Sequence, residues 1–302
     1  MLLRRGDAKR EMIAATCAWA VDCLLGEGPV WDTRRQRLFF VDIKGNALLS
    51  FDERRGGNLT PFAQGPSAVV PFQASDDLLT ISRAGLDRYS PLTGTRVPIA
   101  PIEADVSGNR PNDGKCDRQG RFWFGTMDDS ETGFAGSLYK VGAGGALTRM
   151  LSGIGVSNGL DWSPDGTIFY YTDSLRRTIW QFPFDTAEGA LGERAPFVTL
   201  DPHEGAPDGL TVDEDGYVWS AHWDGWRIVR YNPDGVIDRV FELPVPRPTS
   251  VCFGGPDLSI LYVTSARIGL SPAALERAPL SGGLFSLRPG VRGLPSRPAV
   301  MR

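Results

Sequence analysis

The sequence predicts an all-β fold, a six-bladed β-propeller whose blades each have four strands. A short pattern recurs roughly every 40 to 50 residues, about the length of one four-stranded blade. Each copy has a small or polar residue, an apolar half-strand, a Gly or Asp turn and an aromatic strand. No long helical period alternates with the copies, which disfavours a mixed α/β fold and leaves a β-sandwich array as the alternative. The 36 glycines and 23 prolines suit many tight turns.

Six copies of the pattern occur along the chain, and the second is degenerate. The Gly-His and Trp-Asp signature of WD40 repeats is not seen, so we expect a propeller of a different class. In chain order the copies read GEGPVWDTRRQRLFFVD from Gly26, PSAVVPFQASDDLLTISRAG from Pro66, RPNDGKCDRQGRFWFGTM from Arg110, SNGLDWSPDGTIFYYTD from Ser157, PDGLTVDEDGYVWSAHW from Pro207 and PTSVCFGGPDLSILYVTSA from Pro248.

The two ends of the chain are expected to meet in one blade. Residues 18–23 and residues 283–287 both have the composition of strands. Propellers usually close their ring by pairing an N-terminal strand with a C-terminal strand, which removes exposed sheet edges. Residues 1–11 are charged and lack apolar periodicity, so we expect a disordered tail there, with translation starting at Met1 or Met12. Residues 12–302 would then form a single domain.

Composition excludes several classes of partner and site. The net charge is −4 and the basic residues are scattered, which predicts no nucleic-acid surface. No apolar run reaches the roughly 18 residues of a membrane span, and the short apolar run after Met12 is interrupted by Asp22, so a cytoplasmic location is favoured over secretion. The four cysteines form no C-x-x-C pair and are expected to be reduced. With only two histidines, a three-histidine zinc site is excluded. We expect a monomer or a weak homo-oligomer.

One position of the repeat concentrates polar side chains. A Gly or Ser stands near the start of each inner strand, and the residue just before it occupies the same place in every blade. Those residues are Glu27, Pro66, Asp113, Asn158, Asp208 and Thr249. Because the innermost strands of a propeller surround one axial channel, we expect Glu27, Asp113, Asn158 and Asp208 to converge near one end of it.

Such a convergence favours a bound cation. Carboxylates packed together repel one another and resist desolvation, and a cation between them relieves both effects. All of the candidate ligands are oxygens, which suits a hard divalent ion such as Ca²⁺, Mg²⁺ or Mn²⁺, with Zn²⁺ or Fe²⁺ as further alternatives. A water-filled polar channel without metal is the other interpretation.

The motifs GEGPVW, RPNDGKCD, GRFWFGTM, SNGLDWSPDG, PDGLTVDEDG and FGGPDLSILYVTSA resemble those of the SMP-30/gluconolactonase/LRE-like family, also called the regucalcin family. The resemblance runs in order from about residue 17 to about residue 287. Within the family it is strongest to bacterial sugar-acid lactonases that act on xylonolactone, arabinonolactone or gluconolactone. It implies a metal, Ca²⁺ first among the candidates, held by Glu27, Asn158 and Asp208.

The same resemblance implies a substrate site. Sugar hydroxyls would be bound by Arg110 and Asn112 of the RxND motif. A further acidic contact would come from the loop after GTM, which offers Asp128, Asp129 and Glu131 without a clean match in spacing; Asp129 is the residue we select.

The expected chemistry is metal-dependent hydrolysis of a sugar lactone. Lactone hydrolysis needs a polarised carbonyl and an activated water, and a divalent ion can supply both. Asp208 is expected to be the general base as well as a metal ligand. No G-x-S-x-G elbow is present, so no serine nucleophile is expected. The alternatives are a hydrolase of organophosphates or other lactones with the same architecture, and a non-enzymatic Ca²⁺-binding propeller.

Overall fold

The structure, a computed structural model, describes residues 9–10 and 15–301, and of residues 9–10 only the backbone. Six sheets of at least four strands are arranged in a ring. Each innermost strand contacts the innermost strands of the two neighbouring blades, and the last contacts the first. The predicted six-bladed β-propeller is therefore confirmed.

The strands follow one another as antiparallel meanders from the channel outwards. Two short strands precede the repeats: β1 (Lys9–Arg10) and β2 (Thr16–Trp19). Blades 1 and 2 contain β3 (Gly26–Asp32), β4 (Arg37–Asp42), β5 (Ala47–Asp52), β6 (Gly56–Pro61), β7 (Ala68–Pro71), β8 (Leu78–Ser82), β9 (Gly85–Tyr89) and β10 (Arg96–Ala100). Blades 3 and 4 contain β11 (Asn109–Cys116), β12 (Phe122–Asp128), β13 (Gly136–Val141), β14 (Leu147–Ile154), β15 (Ser157–Trp162), β16 (Ile168–Asp173), β17 (Thr178–Asp185), β18 (Ala190–Leu191) and β19 (Ala195–Thr199). Blades 5 and 6 contain β20 (Ala206–Val212), β21 (Val218–Trp223), β22 (Arg227–Tyr231), β23 (Ile237–Glu242), β24 (Pro248–Gly254), β25 (Ile260–Ser265) and β26 (Leu284–Leu287).

Helices are minor in the described part of the chain. A 3₁₀ turn spans Pro202–Glu204, and the α-helix α1 spans Pro272–Arg277. Ser271 caps α1 by accepting a hydrogen bond from the backbone N–H of Ala274. No helix among the described residues is long and apolar enough to cross a membrane.

The ring closes as predicted, by pairing β2 with β26 in blade 6. The predicted bounds of the first strand were too late, since the strand ends at Trp19 rather than continuing through residue 23. Asp22 has a positive φ of 58°, and this left-handed residue turns the chain towards the first strand of blade 1. The partner strand β26 begins at Leu284 rather than at residue 283, because Gly283 is still in a turn, where its N–H donates to the carbonyl of Leu280.

Part of the expected N-terminal tail lies outside the described residues. The exception is β1, which pairs in parallel with β23 and so adds a fifth strand to blade 5. For the remainder of residues 1–11, the disordered tail stays a prediction.

Six apolar clusters lie between adjacent blades and hold the ring together. Each combines one face of a sheet with the facing side of the next, including the pair formed by blades 6 and 1. For example, Trp123 of blade 3 packs on Phe169 of blade 4, and Trp219 of blade 5 packs on Phe253 of blade 6. The alternating apolar residues of the repeat therefore bury both faces of most strands between blades.

The Asp turn of the repeat has a structural role in blades 3 and 5. The indole N–H of Trp123 donates to Asp117 Oδ2 at 3.0 Å, and that of Trp219 donates to Asp213 Oδ2 at 2.9 Å. Both carboxylates also accept backbone N–H groups of their own turns. The aromatic strand is thus fixed to the turn that precedes it, and the polar turn residue is satisfied although buried.

Candidate functional site

A β-bulge recurs at the polar repeat position. In five of the six blades the register between the innermost and second strands shifts there, so that two residues lie opposite one. In blades 3, 4 and 5 the paired residues of the bulge are 112–113, 158–159 and 208–209. The bulge interrupts the regular alternation of side chains and directs polar groups towards the channel.

The bulge corrects the predicted alignment in blades 1 and 3. In blade 1 the bulge residues are 28–29, so Glu27 is the paired residue just before them. Asn112, and not Asp113, takes the position held by Asn158 and Asp208 in the next blades. Asp113 corresponds instead to Gly159. The prediction used the nearest Gly as the mark, but in blade 3 the sheet pairing resumes at that Gly.

Glycine is required at the second bulge position in blade 5. A Cβ atom added to Gly209 would lie 2.0 Å from Ser250 Oγ in the next blade. The same addition at Gly159 would lie 2.3 Å from the backbone nitrogen of Leu210. The close approach of neighbouring inner strands therefore explains the Gly that follows Asn158 and Asp208.

The bulges open into a cavity of about 480 Å³ at one end of the channel. Glu27, Asn158 and Asp208 all line it, as predicted for residues that converge. Asp113 does not line this cavity, although its charge acts on both Glu27 and Asp208. Three of the four residues expected to converge, Glu27, Asn158 and Asp208, therefore line one cavity, and Asn112 lines it where Asp113 was expected.

A continuous chain of hydrogen bonds runs along this side of the cavity. Arg110 Nη1 donates to Asn112 Oδ1 at 2.5 Å, and Asn112 Nδ2 donates to Asn158 Oδ1 at 2.8 Å. Asn158 Nδ2 then donates to Ser174 Oγ at 2.9 Å, and Ser174 Oγ donates to the carbonyl of Pro207 at 2.6 Å. These bonds fix side chains of blades 3 and 4 relative to one another and to the backbone of blade 5.

The two carboxylates of the set are buried, with Glu27 and Asp208 each only 4% exposed. Burial first, and then the negative charge of Asp113, raises the pKa of Glu27 to about 8. Burial, followed by the charges of Glu27, Asp113 and Glu131, raises the pKa of Asp208 well above its ordinary value. The site is therefore one where negative charge is poorly stabilised by the protein alone.

One buried atom of this site lacks a hydrogen bond within the part of the chain that the structure describes. It is Asp208 Oδ1, whereas Glu27 Oε2 accepts the backbone N–H of Gly28 at 3.0 Å. A buried carboxylate oxygen without a donor is costly. No group of three or more His, Cys, Asp or Glu suited to a metal occurs among the residues that the structure describes. The set formed by Glu27, Asn158 and Asp208 is of another kind, because it combines two carboxylates with an amide oxygen. The donors are all oxygens, which fits a hard cation.

Arg110 is positioned by the loop that follows the aromatic strand of blade 3. Its Nε donates to Asp129 Oδ1 at 2.5 Å, and the same carboxylate pairs with Lys44 at 2.7 Å and with Arg83 at 2.8 Å. Burial alone would raise the pKa of Asp129, but hydrogen bonds from Lys44 and Arg110 outweigh it and lower the pKa to about 2. Asp129 is thus bound to three cations, and its predicted contact with substrate stays a prediction.

Glu131, another acid of the same loop, lines the cavity. It has a positive φ of 57°, which brings the chain back towards the channel after Asp128 has accepted the N–H of Ser130. The sequence offered Asp128, Asp129 and Glu131 for this loop, and Asp129 was the residue selected. Spacing does not reveal that Glu131 is the acid that reaches the cavity, because loop conformation decides it.

Several lining residues were not found from the sequence. They lie at the end of a second strand, on the turn that follows it or on the loop before the next blade, in blades 1, 4 and 5. They include Lys44, Ser174, Arg177, Trp223 and Arg247. The turns of blades 1 and 4 share one feature of the sequence, an Asp at the end of the second strand. These residues are Asp42 and Asp173, and each accepts two backbone N–H groups from the segment before its blade. An alignment of the turns, in addition to the inner strands, would have located them.

Comparisons with known proteins agree with the sequence motifs. The model for the SMP-30/Gluconolactonase/LRE-like region matches residues 25–267. Regucalcin from Gallus gallus is 36% identical over 284 residues, covering 91% of this chain and 94% of that protein. Pentonolactonase XacC from Haloferax volcanii is 38% identical over 245 residues, covering 81% and 82%. A crystal structure described as a calcium-binding protein, regucalcin, from Agrobacterium tumefaciens superposes with a TM-score of 0.91 at 31% identity, covering 96% and 98% of the two chains. The resemblance inferred from the motifs is confirmed.

Proposed function

Since the chain belongs to the SMP-30/gluconolactonase/LRE-like family, we propose that it is a metal-dependent hydrolase of sugar lactones. The observation that carries the proposal is the buried set of Glu27, Asn158 and Asp208 on one cavity, in which Asp208 Oδ1 accepts no hydrogen bond from the described residues. The similarity to a protein named as a pentonolactonase supports the substrate class. Xylono-, arabinono- and gluconolactone are the substrates we put first.

The metal ligands in this proposal are Glu27, Asn158 and Asp208. Carboxylate and amide oxygens without His or Cys favour Ca²⁺, with Mg²⁺, Mn²⁺, Zn²⁺ or Fe²⁺ as further candidates. The relatives named regucalcin, one of them described as calcium-binding, support the same choice. When bound, the ion would polarise the lactone carbonyl and acidify water.

Asp208 is the general base of the proposed reaction. Asp208 lines the cavity with a carboxylate that keeps an unused acceptor atom, and it can accept the proton of a water that attacks the carbonyl carbon. The ring C–O bond then breaks, and the proton held at Asp208 passes to the departing ring oxygen, which leaves an aldonic acid with a new hydroxyl group.

Substrate orientation falls to Arg110 and Asn112. The Nε and Nη1 groups of Arg110 are bonded to Asp129, Asn112 and Pro111, while its Nη2 makes no hydrogen bond to the described residues. That Nη2 is available to a sugar hydroxyl, and Arg110 lines the cavity. A rigidly held donor of this kind lowers the entropic cost of orienting a polyol.

A pH-stat assay with freshly dissolved lactones tests the proposal. Protein freed of metal with a chelator and then reloaded with Ca²⁺, Mg²⁺, Mn²⁺ or Zn²⁺ is compared on xylono-, arabinono- and gluconolactone and on a phosphotriester, after subtraction of spontaneous hydrolysis. We expect lactone turnover only in reloaded protein. Faster turnover of the phosphotriester would favour an organophosphate hydrolase, and Ca²⁺ binding without turnover of any compound would favour a non-enzymatic Ca²⁺-binding protein.

A further inference from the structure

The cavity carries positive charges beyond the proposed metal. Four basic side chains line it: Lys44, Arg110, Arg177 and Arg247. A divalent ion held by Glu27 and Asp208 would balance the two buried carboxylates, so the basic side chains would dominate the field at the cavity mouth.

Arg177 differs from the other three in its partners. Lys44 and Arg110 share Asp129, and Arg247 pairs with Asp224 at 2.7 Å. Arg177 forms no ion pair with any described carboxylate, and its Nη1 donates only to the carbonyl of Gly205, at 2.5 Å. A partly buried guanidinium without a counter-charge is available for an anionic ligand.

The left-handed backbone of residue 177 gives no reason for an arginine at that position. Arg177 has a φ of 53° and ends a turn in which its N–H donates to Ser174 at 3.0 Å. The matching position of blade 1 is Asn46, with a φ of 54°; each residue lies four positions after the corresponding aspartate, Asp173 or Asp42. Asn tolerates left-handed backbone well and Arg does not. The arginine is therefore unfavourable for the turn itself.

The same turn reaches the proposed metal site. Ser174, at its start, accepts a hydrogen bond from Asn158 Nδ2 at 2.9 Å and donates to Pro207 at 2.6 Å. The guanidinium of Arg177 is thus carried on a segment that is fixed to a proposed ligand, and both side chains line one cavity. A substrate whose carbonyl lies at the Asn158 side has Arg177 within the same enclosure.

We propose that Arg177 binds a carboxylate on the substrate, and that the preferred substrates are sugar lactones bearing a second acidic group away from the reacting carbonyl. This inference rests on the proposed function. A guanidinium fits a carboxylate through two parallel hydrogen bonds, which a neutral hydroxymethyl group cannot form.

The test uses two lactones that differ at one carbon. The 1,4-lactones of gluconic and glucaric acid carry CH₂OH and COO⁻, respectively, at C6. We expect wild-type kcat/KM to be at least about tenfold higher for the glucaric lactone, the scale of one charge-assisted contact. Arg177→Asn suits the left-handed backbone and should lower kcat/KM for the acidic lactone about 10- to 100-fold, mainly through KM. Arg177→Lys should retain part of the preference.

Arg194→Gln is the matched control. Arg194 is an exposed residue of the same blade that stacks on Trp180, and its loss changes net charge by the same amount. It should leave both kcat/KM values unaltered. Equal losses for the two lactones in Arg177→Asn, or no wild-type preference, would overturn the inference while leaving lactone hydrolysis intact.

Binding separates this inference from a failure of the proposed function. Thermal shifts of Ca²⁺-loaded protein are measured with the open-chain acids, gluconate and glucarate. Glucarate should stabilise the wild type more than gluconate, and Arg177→Asn should abolish the difference. If neither lactone is hydrolysed but this binding pattern holds, the anion site stands and the activity is wrong. If glucarate gives no advantage, the anion site is wrong.

Discussion

Replacing Glu27 with Gln should stabilise the metal-free protein while removing its response to divalent ions. Glu27 is buried next to a second buried carboxylate, Asp208, and without a cation its charge is opposed by both burial and repulsion. Gln keeps the size and one oxygen but carries no charge. Removal of a buried side chain's interactions ordinarily destabilises a protein. A metal-free variant that is more stable than wild type would therefore point to the unfavourable buried charge of Glu27.

The size of the effect follows from proton linkage. The pKa of Glu27 rises from 4.5 to about 8 on folding, so the folded state binds the proton more tightly than the unfolded state. The stabilisation that proton binding at Glu27 gives the folded state is fully present below pH 4.5 and is lost as pH rises towards 8. Relative to low pH, metal-free wild type loses about 3 kcal/mol at pH 7 through this group and about 4 kcal/mol at pH 8.

A 3 kcal/mol difference corresponds to a readily measured change in Tm. With 302 residues and an unfolding entropy of roughly 2.1 cal/mol/K per residue, it shifts the midpoint by about 5 °C. The difference between Glu27→Gln and wild type should approach zero near pH 4.5 and grow with pH. Ca²⁺ should raise the midpoint of the wild type and leave that of the variant unchanged.

The assay is urea and thermal unfolding at pH 5, 7 and 8, with chelator or with Ca²⁺, beside elemental analysis of both proteins. Glu188→Gln is the control, since it removes the same charge from an exposed residue of blade 4. A chelated Glu27→Gln protein that is no more stable than wild type at pH 7 would refute the argument from buried charge. Full metal occupancy in the variant would remove Glu27 from the ligand set.

Three further predictions concern single side chains. Asp208→Asn, loaded with metal, should lose about two orders of magnitude or more in kcat, the scale of a general base; near-normal kcat with metal present would leave Asp208 a ligand only. Asn112→Ala should weaken divalent affinity about 10- to 100-fold besides raising KM, because Asn112 holds Asn158 through a 2.8 Å bond; calorimetric titration measures this, and unchanged affinity would limit Asn112 to substrate binding. Burial, with a neighbouring arginine, lowers the pKa of His222 to about 3. The free energy of unfolding should therefore fall by about 2 kcal/mol between neutral pH and pH 5, because the unfolded state binds the proton more tightly. Urea titrations of His222→Gln should lack this pH dependence, and a free energy that falls equally with pH in variant and wild type would contradict the prediction.

The fold and the centre of the site could be predicted because both are repeated. The period of the polar and aromatic pattern fixes the number of blades, and equal positions in equal blades meet at one axis. Asn158 and Asp208, the first bulge residues of blades 4 and 5, line one cavity for this reason, and Glu27 joins them from the paired position just before the bulge of blade 1. The position of Asn112 could not be predicted, since a bulge is decided by which residues of two strands pair, and a shift of one residue is invisible in the repeat.

Features outside the repeat depended on loop conformation. Asp129 and Glu131 are two residues apart, yet one binds three cations and the other lines the cavity. Their spacing contains no information about the positive φ at Glu131 that separates them. Arg177 is likewise placed by a turn, and its sequence neighbours give no sign that it lines the same cavity as the proposed metal ligands.

The hydrogen-bond chain also determines how the amide of Asn158 is oriented. The chain begins at Arg110, which can only donate, and ends at the carbonyl of Pro207, which can only accept. Each link between them must therefore donate in the same direction, from Asn112 to Asn158, from Asn158 to Ser174, and from Ser174 to Pro207. A flipped Asn158 would place two donors against each other at Asn112. Its Oδ1 is consequently fixed as an acceptor. Among the described residues it accepts only the bond from Asn112, so it keeps a lone pair for the proposed ion before that ion arrives.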